Sequence, residues 1–148
     1  MNYIKSNNLI GWLTFSIAFI VYYLTIEPTV SFWDCGEYIS TAYKLEVGHP
    51  PGAPLFQLLG RFFSLFANDV SNVAFMINIM SALCSALTIL FLFWTITALA
   101  KKLIFTSEAN NKLTTAQKIG IFGSGLVGAL AYTFSDSFWF SATEGEVY

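Results

Sequence analysis

"VAFMINIMSALCSALTILFLFWTITALA", residues 73–100, runs from end to end without a charged side chain. A helix needs about 20 apolar residues to cross the hydrocarbon core of a bilayer, and this run is long enough to cross with tilt. That reading sets the class of fold as integral membrane. Asn68, Asp69 and Ser71 ahead of the run offer helix-start chemistry, and Lys101 and Lys102 close it. Asn78, Ser81, Ser85 and Thr88 recur along it at helical spacing, a stripe suited to packing on another helix.

Two further apolar runs flank it. "LIGWLTFSIAFIVYYLTI", residues 9–26, is about the length of a span. A secretory signal peptide is the alternative, disfavoured by the length of the run and by the lack of an A-x-A-like cleavage site. Tyr22 and Tyr23 near its far end suit an interfacial aromatic belt. "IGIFGSGLVGALAYTF", residues 119–134, gives a third span of about 119–135, with Gly120, Ser124 and Gly128 as a small-residue packing face. Its glycines lack the strand–turn–helix setting of a phosphate loop. Composition agrees: 11% of the 148 residues are charged and 55% hydrophobic, against about 25% charged in a soluble domain. Mean hydropathy is +0.61. The net charge of −2 gives no reason to expect a nucleic-acid partner. Cys35 and Cys84 lie in unlike surroundings, and no disulfide between them is expected.

Lysine and arginine set the orientation. Lys5 precedes the first run, and Lys101, Lys102, Lys112 and Lys118 lie between the second and third. Between the first and second stand only Lys44 and Arg61. The positive-inside rule then puts the N-terminus and a loop of 101–118 in the cytoplasm. Residues 27–70 and 136–148 form outer loops, holding Glu27, Asp34, Glu37, Glu46, Asp136, Glu144 and Glu146. No repeat or linker divides the chain, so 1–148 reads as one membrane domain, incomplete, because "TEGEVY" opens a new outer segment. We expect it to be the N-terminal fragment of a longer polytopic protein.

Chemistry concentrates in the first outer loop, "SFWDCGEYISTAYKLEVGHPPGAP", residues 31–54. Residues 31–47 read as a short helix with Ser31 as N-cap and Asp34 in the capping-box position. Asp34, Glu37, Tyr38, Thr41 and Leu45 share one face. Gly48 and the Pro50–Pro51 pair stop the helix, and Gly52 permits a bend. Residues 54–67 resume helical character but rise only about 21 Å, too little to span. With Gln57, Arg61 and Ser64 as a polar stripe, they read as an interfacial helix. Plain structural alternatives stand beside each site residue. Asp34 is also explained as a helix-terminus acid, Glu37 as a solvated acid or a partner of Lys44 or Arg61, and His49 as a turn residue bonded to a carbonyl. Glu144 and Glu146 alone read as solvated acids. No residue set has structural-zinc spacing.

"FWDCGEY" followed by "GHPPGAPLF" resembles the first outer loop of a family of membrane proteins grouped with protein O-mannosyltransferases, in the GT-C class of glycosyltransferases. The matching residues are Asp34, Gly36, Glu37, Tyr38, His49, Pro50, Pro51, Gly52 and Pro54, and "EGEVY" is similar to the start of the family's second outer segment. The resemblance implies an all-α polytopic bundle of GT-C type, with three transmembrane helices and short interfacial helices in this part of it. It implies a glycosyltransferase that takes a sugar from a polyprenyl-phosphate donor and passes it to a hydroxyl of a protein or glycan on the periplasmic or lumenal side. Asp34 would be general base or acceptor-orienting acid, with Glu37 beside it as the second catalytic acid. His49, Arg61, Glu144 and Glu146 would bind substrate. No cofactor is required; some GT-C enzymes use a divalent metal, and the mannosyltransferase branch generally does not. The expected setting is a multi-pass protein of a bacterial inner membrane, in contact with lipid. Two other classes remain open: a non-catalytic scaffold subunit, and a transporter fragment, disfavoured because no run carries an acid in its interior. This stretch alone is expected to be inactive.

Overall fold

A computed structural model of the chain describes residues 2–50, 52–107 and 113–145, with the backbone alone given for 105–107. The elements are helices: α1 (Tyr3–Leu24), α2 (Cys35–Lys44), α3 (Pro54–Ser64), α4 (Val73–Ser107, entered through a 3-10 turn at Val70–Asn72), α5 (Thr115–Thr133) and α6 (Asp136–Ala142). No strand occurs among the described residues. Tyr3–Leu24 and Val70–Ile104 are long and apolar enough to cross a membrane. The third expected span corresponds to α5, a helix of 19 residues that is not one of those two.

The pattern along α1 is the reverse of a water-soluble helix. Gly11, Thr14, Ala18 and Tyr22 face inward, whereas Leu9, Leu13, Ile17, Ile20 and Leu24 are exposed. Small and hydroxyl-bearing residues inside with large aliphatics outside is the arrangement that lipid favours, because lipid tails exert no pressure to bury leucine. Tyr22, expected in an interfacial belt, is instead fully buried with its ring edge-on to Phe138.

The chain packs as two compact units. One comprises Met1–Ala18 and Ala86–Ser135. There Thr114 caps α5 through a reciprocal capping box with Gln117. The small-residue seam of α5 keeps Gly128 of the expected set but not Gly120. A Cβ on Gly120 would meet nothing, whereas one on Gly125 would fall 2.6 Å from Thr97 and one on Gly128 2.6 Å from Ile96. Helix rotation puts Gly125 and Gly128, not Gly120, against α4.

The second unit comprises Phe19–Ser85 and Asp136–Tyr148, and it holds the outer-loop residues. Its core joins Ile39 and Ala42 of α2 to Val73, Ala74, Ile77 and Met80 of α4, with Phe56 and Phe63 of α3 packed against them. Helices α2 and α3 meet closely at Gly60, where a Cβ would come 2.9 Å from that of Ala42. The polar stripe of α3 turns toward α2: Gln57 donates to Thr41 at 3.4 Å, and Arg61 to the Tyr43 carbonyl at 2.8 Å. Leu55, Leu58, Phe62 and Phe66 are exposed. Asn78 of α4 is buried and holds the start of the outer loop, its amide donating to the carbonyls of Glu27 at 2.8 Å and Thr29 at 3.1 Å.

Candidate functional site

The helix expected over 31–47 begins four residues later. Asp34, not Ser31, is the N-cap of α2, and it makes no side-chain capping hydrogen bond. The reason is local: Trp33 has a φ of 59°, a left-handed conformation that breaks the helical path just ahead of Asp34. A bulky residue held there stores backbone strain, a feature that gathers at functional sites. The carboxylate of Asp34 therefore stands at the positive end of the α2 dipole.

Helix α2 also ends before Gly48. Leu45 is left-handed at φ 56°, the Glu46 amide bonds back to the Thr41 carbonyl at 2.9 Å, and the Leu45 amide to that of Ala42 at 3.4 Å. This is a Schellman stop, usually made with glycine. It frees residues 46–49 to fold back along α2 and brings His49 over its first turns.

There Glu37 takes hold of His49 with both carboxylate oxygens. Oε1 accepts the His49 backbone amide at 2.7 Å, and Oε2 lies 3.0 Å from ring Nδ1. On the other side of the ring, Nε2 lies 3.9 Å from Oδ2 of Asp34. Tyr38 packs against the imidazole, ring centres 5.9 Å apart, and is itself braced edge-on by Phe56. Gly48 makes room for the fold-back, since a Cβ there would come 3.3 Å from Glu37 Oε1 and 3.4 Å from Gln57 Nε2. The hydrogen bond from the His49 amide, then that from its ring, hold the Glu37 carboxyl below the ordinary carboxylate range, slightly opposed by desolvation. All three side chains remain open to solvent, between 41% and 45% exposed.

The structure thus brings together Asp34, Glu37 and His49. Glu37 pairs with His49 rather than with Lys44 or Arg61, and the His49 ring meets carboxylates rather than a backbone carbonyl. Arg61 is not joined to this group by a contact among the described residues; its guanidinium lies over the Tyr43 ring, 5.4 Å from the centre. Glu144, expected as a solvated acid, is buried at 3% exposure. The chain after α6 turns inward there, the Thr143 carbonyl accepting the Glu27 amide and Gly145 approaching Asn78. Glu146 lies outside the described residues, as does Pro51 of the proline corner. Cys35 and Cys84 form no disulfide. No group of three or more His, Cys, Asp or Glu placed to hold a metal ion occurs among the described residues. Sequence reasoning missed Gly48, Gln57 and Trp33 as parts of the site; only the Gly-His-Pro pattern hinted at a close approach there.

A carboxylate at a helix start, beside an imidazole gripped by a second carboxylate, can accept and move a proton. Comparison with known proteins places the chain in a family. Residues 34–148 match the family described as the protein O-mannosyl-transferase TMEM260 N-terminal domain. The protein O-mannosyl-transferase tmem260 of Dictyostelium discoideum is 32% identical over 137 residues, 92% of this chain and 14% of that protein. The protein O-mannosyl-transferase TMEM260 of Mus musculus is 29% identical over 135 residues, 90% of this chain and 16% of that protein. The chain spans about a seventh of the length of these relatives. No solved structure gives a significant match. By this match over most of its length, the chain belongs to the TMEM260 N-terminal domain family of protein O-mannosyl-transferases.

Proposed function

We propose that the protein of which this chain forms part is a membrane O-mannosyltransferase of GT-C type. It moves mannose from a polyprenyl-phosphate donor to an acceptor hydroxyl of a protein on the periplasmic or lumenal side. The observation that carries the proposal is the grouping of Asp34, Glu37 and His49 on a loop packed on the first turns of an apolar, span-length helix. The names of the relatives support the transfer chemistry. The donor class rests on where the acids stand. In the proposed topology α1, α4 and α5 cross the membrane with the N-terminus cytoplasmic, and the outward apolar side chains of α3 rest on the outer leaflet. The site then lies at the height of a lipid phosphate.

Asp34 acts as general base. Its carboxylate takes the proton of the acceptor hydroxyl as the oxygen attacks the anomeric carbon, and the bond from that carbon to the phosphate oxygen breaks with its electron pair going to the phosphate. A leaving phosphate needs cationic or donor partners. Arg61, occupied with Tyr43, would have to turn to serve, so the main phosphate-binding groups are assigned to later parts of the longer protein. Both named relatives are eukaryotic, so the outer side is taken as lumen or periplasm according to host.

The test uses membranes containing the full-length protein, an acceptor peptide rich in serine and threonine, and mannose supplied on a polyprenyl phosphate or on a nucleotide. Transfer from the lipid-linked sugar alone is the expected result. Transfer directly from the nucleotide sugar, or from neither, would overturn the donor assignment.

A further inference from the structure

We propose that His49 is the proton outlet of Asp34, and that Glu37 serves as a positioning residue for His49 rather than as a second base. The inference rests on the transferase reading above and deepens it.

Both oxygens of Glu37 are engaged by one residue, the amide of His49 on Oε1 and its ring on Oε2. An ionised carboxylate can only accept, so Nδ1 must carry the hydrogen. In a neutral imidazole Nε2 then bears the lone pair, and Nε2 is the atom that faces Asp34. The main-chain bond adds what a ring contact alone would lack: it fixes where the histidine backbone sits, so the ring is held at two points. Tyr38 and Phe56 limit its rotation further. The titratable groups facing the imidazole are Asp34 and Glu37 from α2, with the Tyr38 ring against it; α3 contributes the neutral Gln57 beside Gly48.

The separation of 3.9 Å between Nε2 and Asp34 is about 1 Å longer than a hydrogen bond. A small side-chain rotation or one bridging water closes it. Each turnover leaves one proton on Asp34, because the hydroxyl has lost its hydrogen and the phosphate product leaves without taking it. That proton passes from Asp34 to Nε2. The resulting imidazolium is stabilised by the carboxylate of Glu37 on its far side, and the half-exposed ring releases the proton to water. Asp34 is then a base again. No oxidant, metal or further reactant enters the balance.

The test uses the full-length protein in membranes with polyprenyl-phosphate mannose and the acceptor peptide. His49→Ala is expected to lower kcat by about 100-fold with KM for donor and acceptor little changed, and imidazole added to the buffer is expected to restore much of the loss. His49→Asn, which keeps the backbone amide for Glu37 but cannot carry a proton, is expected to be as slow as His49→Ala while unfolding at the wild-type temperature. Glu37→Gln is expected to lower kcat without raising either KM. Asp34→Asn is the control that imidazole does not rescue. An active His49→Asn enzyme, or a slow His49→Ala enzyme that imidazole leaves slow, overturns the outlet while the transferase reading stands. No transfer by the wild type, or full transfer by Asp34→Asn, overturns that reading and the outlet with it.

Discussion

Glu37 carries two bonds from His49, and their electrostatic consequence is measurable apart from catalysis. Its folded-state carboxyl ionises at lower pH than an unfolded one, so the unfolded chain takes up the proton first as pH falls. The stabilisation is complete above the unfolded carboxylate value of about 4.3 and is lost as pH falls through the lower folded value. Thermal unfolding of the wild type and Glu37→Gln, followed from pH 7 into acid, should show a gap in unfolding temperature that closes below about pH 4. A gap that stays constant with pH would show that the carboxylate charge has no part in the clamp. The proximity of Asp34 and Glu37 was legible from spacing alone, since three residues make one helical turn. The partner of Glu37 was not. His49 lies twelve positions on, and its return depends on a left-handed Leu45 and on the space beside Gly48, neither of which periodicity reports. Lys44 and Arg61 were the expected partners because charge is visible in a sequence and chain reversal is not.

Helix boundaries show the same division. The apolar runs marked where α1, α4 and α5 lie, because a continuous run of lipid-compatible side chains is a long-range signal, but α1 starts six residues ahead of its run and α4 continues seven residues past its own. Helix α2 was predicted too long at both ends. Ser31 offered capping chemistry, but Trp33 at φ 59° starts the helix later, and Leu45 at φ 56° stops it before the glycine and prolines. Leu45 is more than half exposed, so its side chain contributes little packing to set against its backbone strain. Leu45→Gly should stabilise α2 by about 0.5–1 kcal/mol, the left-handed penalty relieved less the extra unfolded-state freedom of glycine. A raised unfolding temperature in detergent is the expected result; a lowered one would mean that Leu45 makes a contact the strain argument leaves out. The seam on α5 went to Gly125 and Gly128 rather than Gly120 because helix rotation depends on the partner surface, here Phe93, Ile96 and Thr97.

Across the whole molecule, the apolar runs pointed to an all-helical membrane segment, and the fold explains how its first outer stretch holds the acids. Helix α2 buries Ile39 and Ala42 on α4 and leaves Asp34 and Glu37 on the open side. Asn78 and the Glu27–Thr143 bond tie both ends of that unit together. The burial of Glu144 was hidden from the sequence because it depends on the chain turning inward after α6. The most direct test of the central claim, that Asp34 is the base of a sugar transfer, separates binding from chemistry in the full-length protein. For Asp34→Asn we predict a Kd for polyprenyl-phosphate mannose within about twofold of wild type and a kcat lower by at least about 100-fold. A variant that transfers mannose at the wild-type rate, or one that loses donor binding and keeps kcat, would contradict the account.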